Sequence, residues 1–480
     1  MHNSTTTQAP DTAVIEKSER GNTIPVRLIV SRGKDSEIML VTSKSGWLLP
    51  EVEIPRYQRI PPNVRSRALE RYGIKTICRF QPRRKEPGCI DTVPSLYQVA
   101  DLEEQPARLP EALRWIQRHQ IGQISFCNSE DRDALETALA DTELYDCGAL
   151  PGPFAKSGWV LDLISWLDST TQKYRLGFAN RWEQYNASPN FSLIRAETDG
   201  PAVWFKAVGA PNLHEYPITL FLADRYPQYM PFILATRDDW HGWLTLEEEG
   251  THPDDIKRCD AFRATAHSLA QLQLETARDK DILLATGCSD LRLSRLQEFI
   301  AVYLDTIREF MKLQTNTHVC VLSSDDCLWL GEVLHEACVA LQLLGIPDTL
   351  GHGDFNPNNI VVSTSRCVFL DWAEAHVGHP FFTIEYLLAR FRDQSLTTQT
   401  ELQSIRDAYA QLWLAHFSRE TIDRSFRICR LLAVFAYAVQ LLDHHKTPKA
   451  KNDDVAAMQR SLARRMYREA ANLMKKDEQS

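Results

Sequence analysis

No two of the eleven cysteines in this sequence are spaced as Cys-x-x-Cys, and their number is odd. Zinc ribbons and disulfide frameworks both rest on such pairs, so the cysteines read as small apolar residues of a reducing compartment. Long hydrophobic runs are missing too. Patches such as Leu431 to Val439 reach about half of the ~20 residues a bilayer requires, and no membrane span is expected. The polar start Met1-His2-Asn3-Ser4-Thr5-Thr6-Thr7 has no apolar core and does not read as a secretory signal, so the expected location is cytoplasmic. A basic excess is also absent. Lys and Arg number 54 against 63 Asp and Glu, a net charge of −9, which argues against a protein that coats nucleic acid. Residues 1–150 hold 20 basic and 21 acidic side chains, so nearly all of that charge belongs to the remainder. There is no internal repeat and no low-complexity segment of consequence.

What is present is the composition of a globular protein, 44% apolar and 24% charged, in a chain of 480 residues that is long enough for two or three compact units. Residues 1–20 read as a disordered tail. Val26–Val30 and Ile38–Val41 read as a hairpin, followed by a helix over Pro62–Tyr72 that ends on Gly73 as a left-handed cap. Strands are expected over Thr76–Phe80 and Ser95–Val99, and helices over Glu111–Arg118 and Glu130–Ala140. The basic stretch with Arg83, Arg84 and Lys85 reads as a solvated loop. Residues 146–153 carry two glycines and two prolines and form the best linker candidate. Beyond it come a helix over Trp159–Asp168, strands Leu193–Glu197 and Val203–Val208 joined by a turn, and a helix opened by Pro217. From Asp254 the pattern is almost wholly helical, with one interruption at Gly351–Ala375.

That interruption carries the chemistry. It reads Gly351-His352-Gly353-Asp354-Phe355-Asn356-Pro357-Asn358-Asn359-Ile360-Val361-Val362, then Val368-Phe369-Leu370-Asp371-Trp372. Two short β-branched runs flanking this polar loop, the second ending on Asp371, predict a hairpin-like pair that aims Asp354, Asn359 and Asp371 into one cleft. Phosphoryl transfer needs an acceptor for the proton of the attacking hydroxyl, together with hard oxygen ligands for the Mg²⁺ that bridges nucleotide phosphates. A carboxylate, an amide five residues on and a second carboxylate at the end of the next strand supply both.

His352-Gly353-Asp354-x-x-x-x-Asn359 with Asp371-Trp372 resembles the signature of the aminoglycoside phosphotransferase and choline kinase group, relatives of the protein kinases. The resemblance implies an α+β, bilobal protein-kinase-like fold over residues 155–480, with a small β-rich lobe to about 243 and a helical lobe from about 244 to 475. It implies Asp354 as catalytic base or substrate-orienting carboxylate, His352 as the residue that holds the loop, and Asn359 and Asp371 as magnesium ligands, with ATP or GTP as phosphate donor. Gly378 and Pro380 match the family's Gly-x-Pro continuation, whereas Thr383 replaces an acidic residue that often follows. A strand lysine and a helix glutamate should precede this motif. Lys206 in Val203–Val208 is the candidate phosphate contact, and Glu215 is its candidate ion-pair partner. No glycine-rich loop is visible; Tyr185–Asn190 stands in its place. Trp243–Glu248 resembles the lobe-joining hinge, where the backbone at Leu244 and Leu246 would meet the adenine.

Gly46-Trp47-Leu48-Leu49-Pro50 and Arg67–Ile74 resemble a worn Nudix hydrolase motif, which implies a small α+β domain over residues 21–150. Arg67 and Arg71 stand where that family presents magnesium-binding glutamates and only Glu70 remains, so hydrolysis is not expected. The expected function is a small-molecule phosphotransferase acting on a hydroxyl, and the alternative is a kinase-like nucleotide-binding sensor or scaffold without catalysis. Eleven acidic against seven basic residues over 247–300 would suit an amine-bearing acceptor. The oligomeric state is not legible.

Overall fold

The computed structural model describes residues 23–56, 58–82, 96–104, 109–148, 152–188, 190–253, 259–315, 317–394, 398–444 and 453–477. The expected tail to Arg20 and the loop with Arg83, Arg84 and Lys85 lie outside these residues. The chain forms two compact units, Met1–Leu213 with Ile233–Glu247, and His214–Phe232 with Glu248–Ser480. The last crossing, between Glu247 and Glu248, falls inside the stretch expected to join two lobes.

The first unit holds two sheets. One has seven strands, β1 (Thr23–Arg32), β2 (Glu37–Ser43), β3 (Gly46–Leu48), β4 (Glu51–Pro55), β5 (Lys75–Phe80), β6 (Leu96–Glu104) and β7 (Leu113–Gln117), in the order β3-β2-β1-β6-β5 with β4 on β1 and β7 on β2. β1 and β6 run parallel and the other pairs antiparallel. Helix α1 (Ile60–Tyr72) starts on two prolines and ends at Gly73, whose φ of 70° needs a residue without a Cβ; its N–H caps the Leu69 carbonyl. Helix α2 (Ser129–Asp146) starts at Asn128, whose side chain accepts the Glu130 N–H. The helix expected over Glu111–Arg118 is instead strand β7. Its helix-forming residues are overruled by five registered pairs with β2, from Glu37↔Gln117 to Val41↔Leu113.

Helix α3 (Trp159–Lys173) leads to the second sheet, β8 (Phe178–Ala187), β9 (Phe191–Thr198), β10 (Val203–Val208), β11 (Ile233–Arg237) and β12 (Gly242–Leu246), all antiparallel in the order β11-β12-β10-β9-β8. One core runs through both sides of the glycine- and proline-rich 146–153 stretch, of which 149–151 lie outside the described residues. It joins Ile29, Leu40, Phe80 and Leu135 to Phe154, Trp159, Ile194, Phe205 and Leu244. Buried polar groups make the same connection. The Arg79 guanidinium donates to Asp35, to the Ser31 hydroxyl and to the Ala155 carbonyl, and lies 3.2 Å from Asp101. Asp101 in turn accepts the Gly158 N–H, and the Gln184 amide pairs with both backbone groups of Cys78. A buried charge held at this many points is costly to break, about 3–5 kcal/mol when one partner is removed.

The second unit is helical, with α4 (Glu215–Arg225), α5 (Cys259–Thr276), α6 (Lys280–Thr286), α7 (Leu293–Lys312), α8 (Ser324–Gln342), α9 (Phe381–Gln394), α10 (Gln399–Trp413), α11 (Arg419–His444) and α12 (Asp453–Asp477). α7 shows how the sequence sets a face: Leu293, Leu296, Ile300, Tyr303, Leu304, Ile307 and Met311 recur at helical spacing and are all buried. Arg419–Leu442 is long and apolar enough to cross a membrane, a property core helices share, and 67% of that window is buried inside the protein. Five short strands interrupt the helices. β13 (Ser289–Leu291), β17 (Ala375–Gly378) and β14 (Thr349–His352) form one sheet, and β15 (Ile360–Val362) and β16 (Cys367–Phe369) form a hairpin.

Candidate active site

The hairpin is the one expected from the two β-branched runs, registered as Ile360↔Phe369, Val361↔Val368 and Val362↔Cys367. Its apolar residues are buried, which anchors both polar ends of the loop in the helical core. Asn359, just before β15, accepts the Leu370 N–H on its carbonyl at 2.8 Å, so the base of the hairpin sets where Asp371 begins. Its side chain turns the other way. Asn359 Nδ2 donates to the Asp354 carbonyl at 3.0 Å and to Asp354 Oδ2 at 3.1 Å. Asn359 thus binds the half-buried Asp354 carboxylate with its side chain and Leu370, the residue before the half-buried Asp371, with its backbone carbonyl.

Asp354 is held on its other oxygen as well. Oδ1 accepts from the Asn356 amide and, at 3.3 Å, from the Tyr386 hydroxyl on α9. Burial and the charge of Asp354 push the Tyr386 and Tyr437 hydroxyls up, so both stay protonated donors. Asp371 has a φ of +63°, a left-handed conformation that asparagine and aspartate tolerate better than most residues.

His352 sits beneath the loop. It is buried, its Nε2 lies 2.9 Å from the Leu370 carbonyl, and its ring packs against Trp372 and Phe355. Its backbone N–H donates to the Thr383 hydroxyl at 2.9 Å, so the residue that replaces the family's acidic group braces the loop itself. The flanking glycines are sterically required. A Cβ on Gly351 would lie 2.1 Å from His376 Nε2, and one on Gly353 would lie 2.7 Å from the Glu374 carbonyl.

Two histidines beneath the loop are buried and kept neutral. Burial pushes His376 down to about 4 and His379 to about 3. In the unfolded chain both return to about 6.5, so between pH 6.5 and 4 the unfolded state binds more protons than the native one. Their contribution to stability is complete above pH 6.5 and declines as the pH falls through that window. The melting temperature is expected to fall steadily from pH 7 to pH 4.5; a flat profile would contradict neutral buried imidazoles.

Lys206 lies in the first unit, half-buried on β10 between Leu193 and Trp243 of the neighbouring strands, with Nζ 5.6 Å from the Phe191 ring and 5.9 Å from the Trp243 ring. Glu215 lies in the second, as the first residue of α4, and is 1% exposed. Leu244 is buried in the core and flanked on both sides by paired strands, opposite Phe205 and Ala235. Leu246 sits at the end of β12, opposite Val203 alone. Strand-end backbone, rather than Leu244, is the part left at the margin of the ladder. Glu70, on the exposed face of α1, is held by Arg67 at 2.9 Å.

Sequence reasoning missed Tyr386, Asn356 and Arg390. Arg390 Nη1 donates to Asn356 Oδ1 at 3.1 Å, which extends the chain of contacts from Asp354 along α9. Thr383, Tyr386 and Arg390 stand at i, i+3 and i+7 of α9, and that polar stripe on one helix face was the available signal.

Residues 222–423, somewhat less than half of the chain, match the model of the phosphotransferase enzyme family. A comparison with curated proteins returned no match. Among solved structures, an ethanolamine kinase of Plasmodium vivax is similar at 16% identity and a TM-score of 0.40, covering 60% of this chain and 82% of that one. A macrolide 2′-phosphotransferase from Brachybacterium faecium is similar at 16% identity and 0.41, covering 62% and 96%. A choline kinase from Cryptosporidium parvum is similar at 9% identity and 0.42, covering 62% and 89%. The matched domain and the two units, one β-rich and one helical, make the fold the expected kinase-like α+β type.

Proposed function

We propose that the protein transfers the terminal phosphate of ATP, or of GTP, to a hydroxyl of a small molecule. The observation that carries the reading is Asn359, which holds the Asp354 carboxylate with its side chain and Leu370, the residue before Asp371, with its backbone carbonyl. Asp354 accepts the proton of the attacking hydroxyl; an O–P bond forms to the γ-phosphorus, the bond from that phosphorus to the β–γ bridging oxygen breaks, and the nucleoside diphosphate leaves. Asn356 and Tyr386 hold the accepting carboxylate in one orientation, and His352 holds the loop.

The residues fit a magnesium ion. Among the described residues no group of three or more His, Cys, Asp or Glu is set to hold a metal, but Mg²⁺ in such sites takes one or two protein oxygens and completes its shell with phosphates and water. Asn359 turns its Nδ2 to Asp354, which leaves the amide oxygen on the opposite side, and Asp371 supplies a carboxylate. These two would hold the ion, which when bound neutralises charge on the phosphates. On the resemblance, Lys206 is assigned to the phosphates, Glu215 to its orientation, and the β12 backbone near Leu244 and Leu246 to the base. Residues 21–150 are proposed to be a Nudix-like, non-hydrolytic domain, since the one glutamate left is held by Arg67.

The test is to incubate the protein with MgATP and a metabolite extract and search for masses raised by one phosphate. A phosphorylated product absent without protein is expected. MgATP-dependent thermal stabilisation with no product from any extract would favour the sensor reading.

A further inference from the structure

The turn that follows Asp371 is held from three directions. It is built from Trp372, Ala373, Glu374 and Ala375, and the Ala375 N–H closes it by donating to the Trp372 carbonyl at 3.1 Å. The Glu374 carbonyl accepts the Gly353 N–H at 3.0 Å, from the loop that carries Asp354, and the Gln440 amide at 2.9 Å, from α11. The Ala373 carbonyl lies 2.6 Å from Nε2 of His214, 159 residues earlier in the chain. A carbonyl oxygen can only accept, so His214 Nε2 carries the hydrogen. His214 itself has little freedom. It is the residue before α4, which Glu215 begins, and it faces Gly287 at the end of α6, where an added Cβ would lie 3.0 Å from its own. The imidazole thus ties the start of α4 to the backbone two residues beyond Asp371.

We propose that His214 is a positioning residue for the magnesium site, its bond to Ala373 fixing the turn that sets where the Asp371 carboxylate points. This deepens the transferase reading, in which Asp371 and Asn359 hold the ion, and rests on it. On its other side Asp371 is anchored through Leu370, whose N–H the Asn359 carbonyl accepts at 2.8 Å. Between these two anchors Asp371 keeps a φ of +63°, a conformation that costs free energy in any residue with a Cβ and that the bonds around it must hold. Mg²⁺ tolerates little departure from octahedral geometry, so a carboxylate on a loosened turn is a poorer ligand. Groups one step removed from a metal set its affinity in this way. Glu215 is the next residue after His214, so the same bond also sets one end of the helix to which the orientation of Lys206 is assigned.

His214→Asn and His214→Gln separate the hydrogen bond from the bulk of the side chain. A glutamine amide nitrogen reaches the position of Nε2, whereas that of asparagine stops at the position of Nδ1. ATP binding to the full-length protein is read by calorimetry over a magnesium titration, and amide hydrogen exchange is read in the protein without metal or nucleotide. In His214→Asn the magnesium concentration for half-maximal stimulation of binding is expected to rise about tenfold. Exchange over residues 371–376 should accelerate while exchange in β15 and β16 stays as in the unaltered protein, which shows that the fold is kept. ATP binding in excess EDTA should not change, and His214→Gln should restore most of both losses. An unchanged magnesium dependence in the asparagine variant overturns the proposal. So do equal losses in the two variants, which would trace the effect to the ring rather than its N–H, and faster exchange in β15 and β16 as well, which would mean a general loosening. These outcomes leave the transferase reading standing. An unaltered protein that binds no nucleotide in a magnesium-dependent way overturns that reading, and the role of His214 at the metal falls with it.

Discussion

Asp354→Asn is expected to lower phosphoryl transfer by about 10²–10⁴-fold, the usual contribution of a positioned proton acceptor, while nucleotide binding persists. The size of the effect follows from what the loop does with this carboxylate. Both oxygens already accept hydrogen bonds, from Asn359 Nδ2 on one side and from Asn356 and Tyr386 on the other. An amide at this position takes no proton from the acceptor, and one end of it presents N–H groups to neighbours that are themselves donors. The misfit disturbs the loop locally; the nucleotide contacts assigned to Lys206 and the β12 backbone belong to other elements. Steady-state transfer measured beside MgATP binding by calorimetry checks this, and full turnover by the variant would sink the proposed role of Asp354.

Asp371→Asn is expected to act on the other half of the site. Asparagine is nearly the same size and tolerates a φ of +63°, so the turn after β16 survives and the change is one of charge. MgATP affinity should fall by at least about tenfold, the scale on which even groups one step removed from a metal act. Nucleotide binding in excess EDTA should be the same in both proteins, and so should the melting temperature without ligand. Asp371→Ala is the useful contrast, because it adds the cost of a left-handed alanine, about 1–2 kcal/mol, and should melt earlier. An unchanged magnesium dependence in the asparagine variant would remove Asp371 from the metal site.

The two variants separate what the loop's residues do, and their positions show why so much of the site was legible beforehand. Asp354, Asn359 and Asp371 lie on a stretch whose geometry is local. A four-residue turn closes the hairpin between β15 and β16, the three paired positions fix the register, and the register sets the spacing of the polar ends. Gly73 was readable for the same reason, since a helix end needs a left-handed residue whatever packs against it. Strand β7 was not readable, because Leu113–Gln117 has the residues of a helix and becomes a strand only when β2 offers it a ladder.

By itself, then, the sequence determined the features that depend on neighbours a few residues away: helix caps, the polar loop, the hairpin and the carboxylate spacing that points to phosphoryl transfer. The tertiary structure alone decided the rest. Tyr386 and Arg390 come to the loop from α9, and His214 comes to the turn after Asp371 from the start of α4, over separations along the chain that no local pattern encodes. Arg79 likewise gathers Asp35, Asp101 and Ala155 around one buried charge. The physical reason is common to these cases. A buried charge or a braced loop is defined by which surfaces exclude water together, and that is a property of packing among distant segments rather than of any one of them.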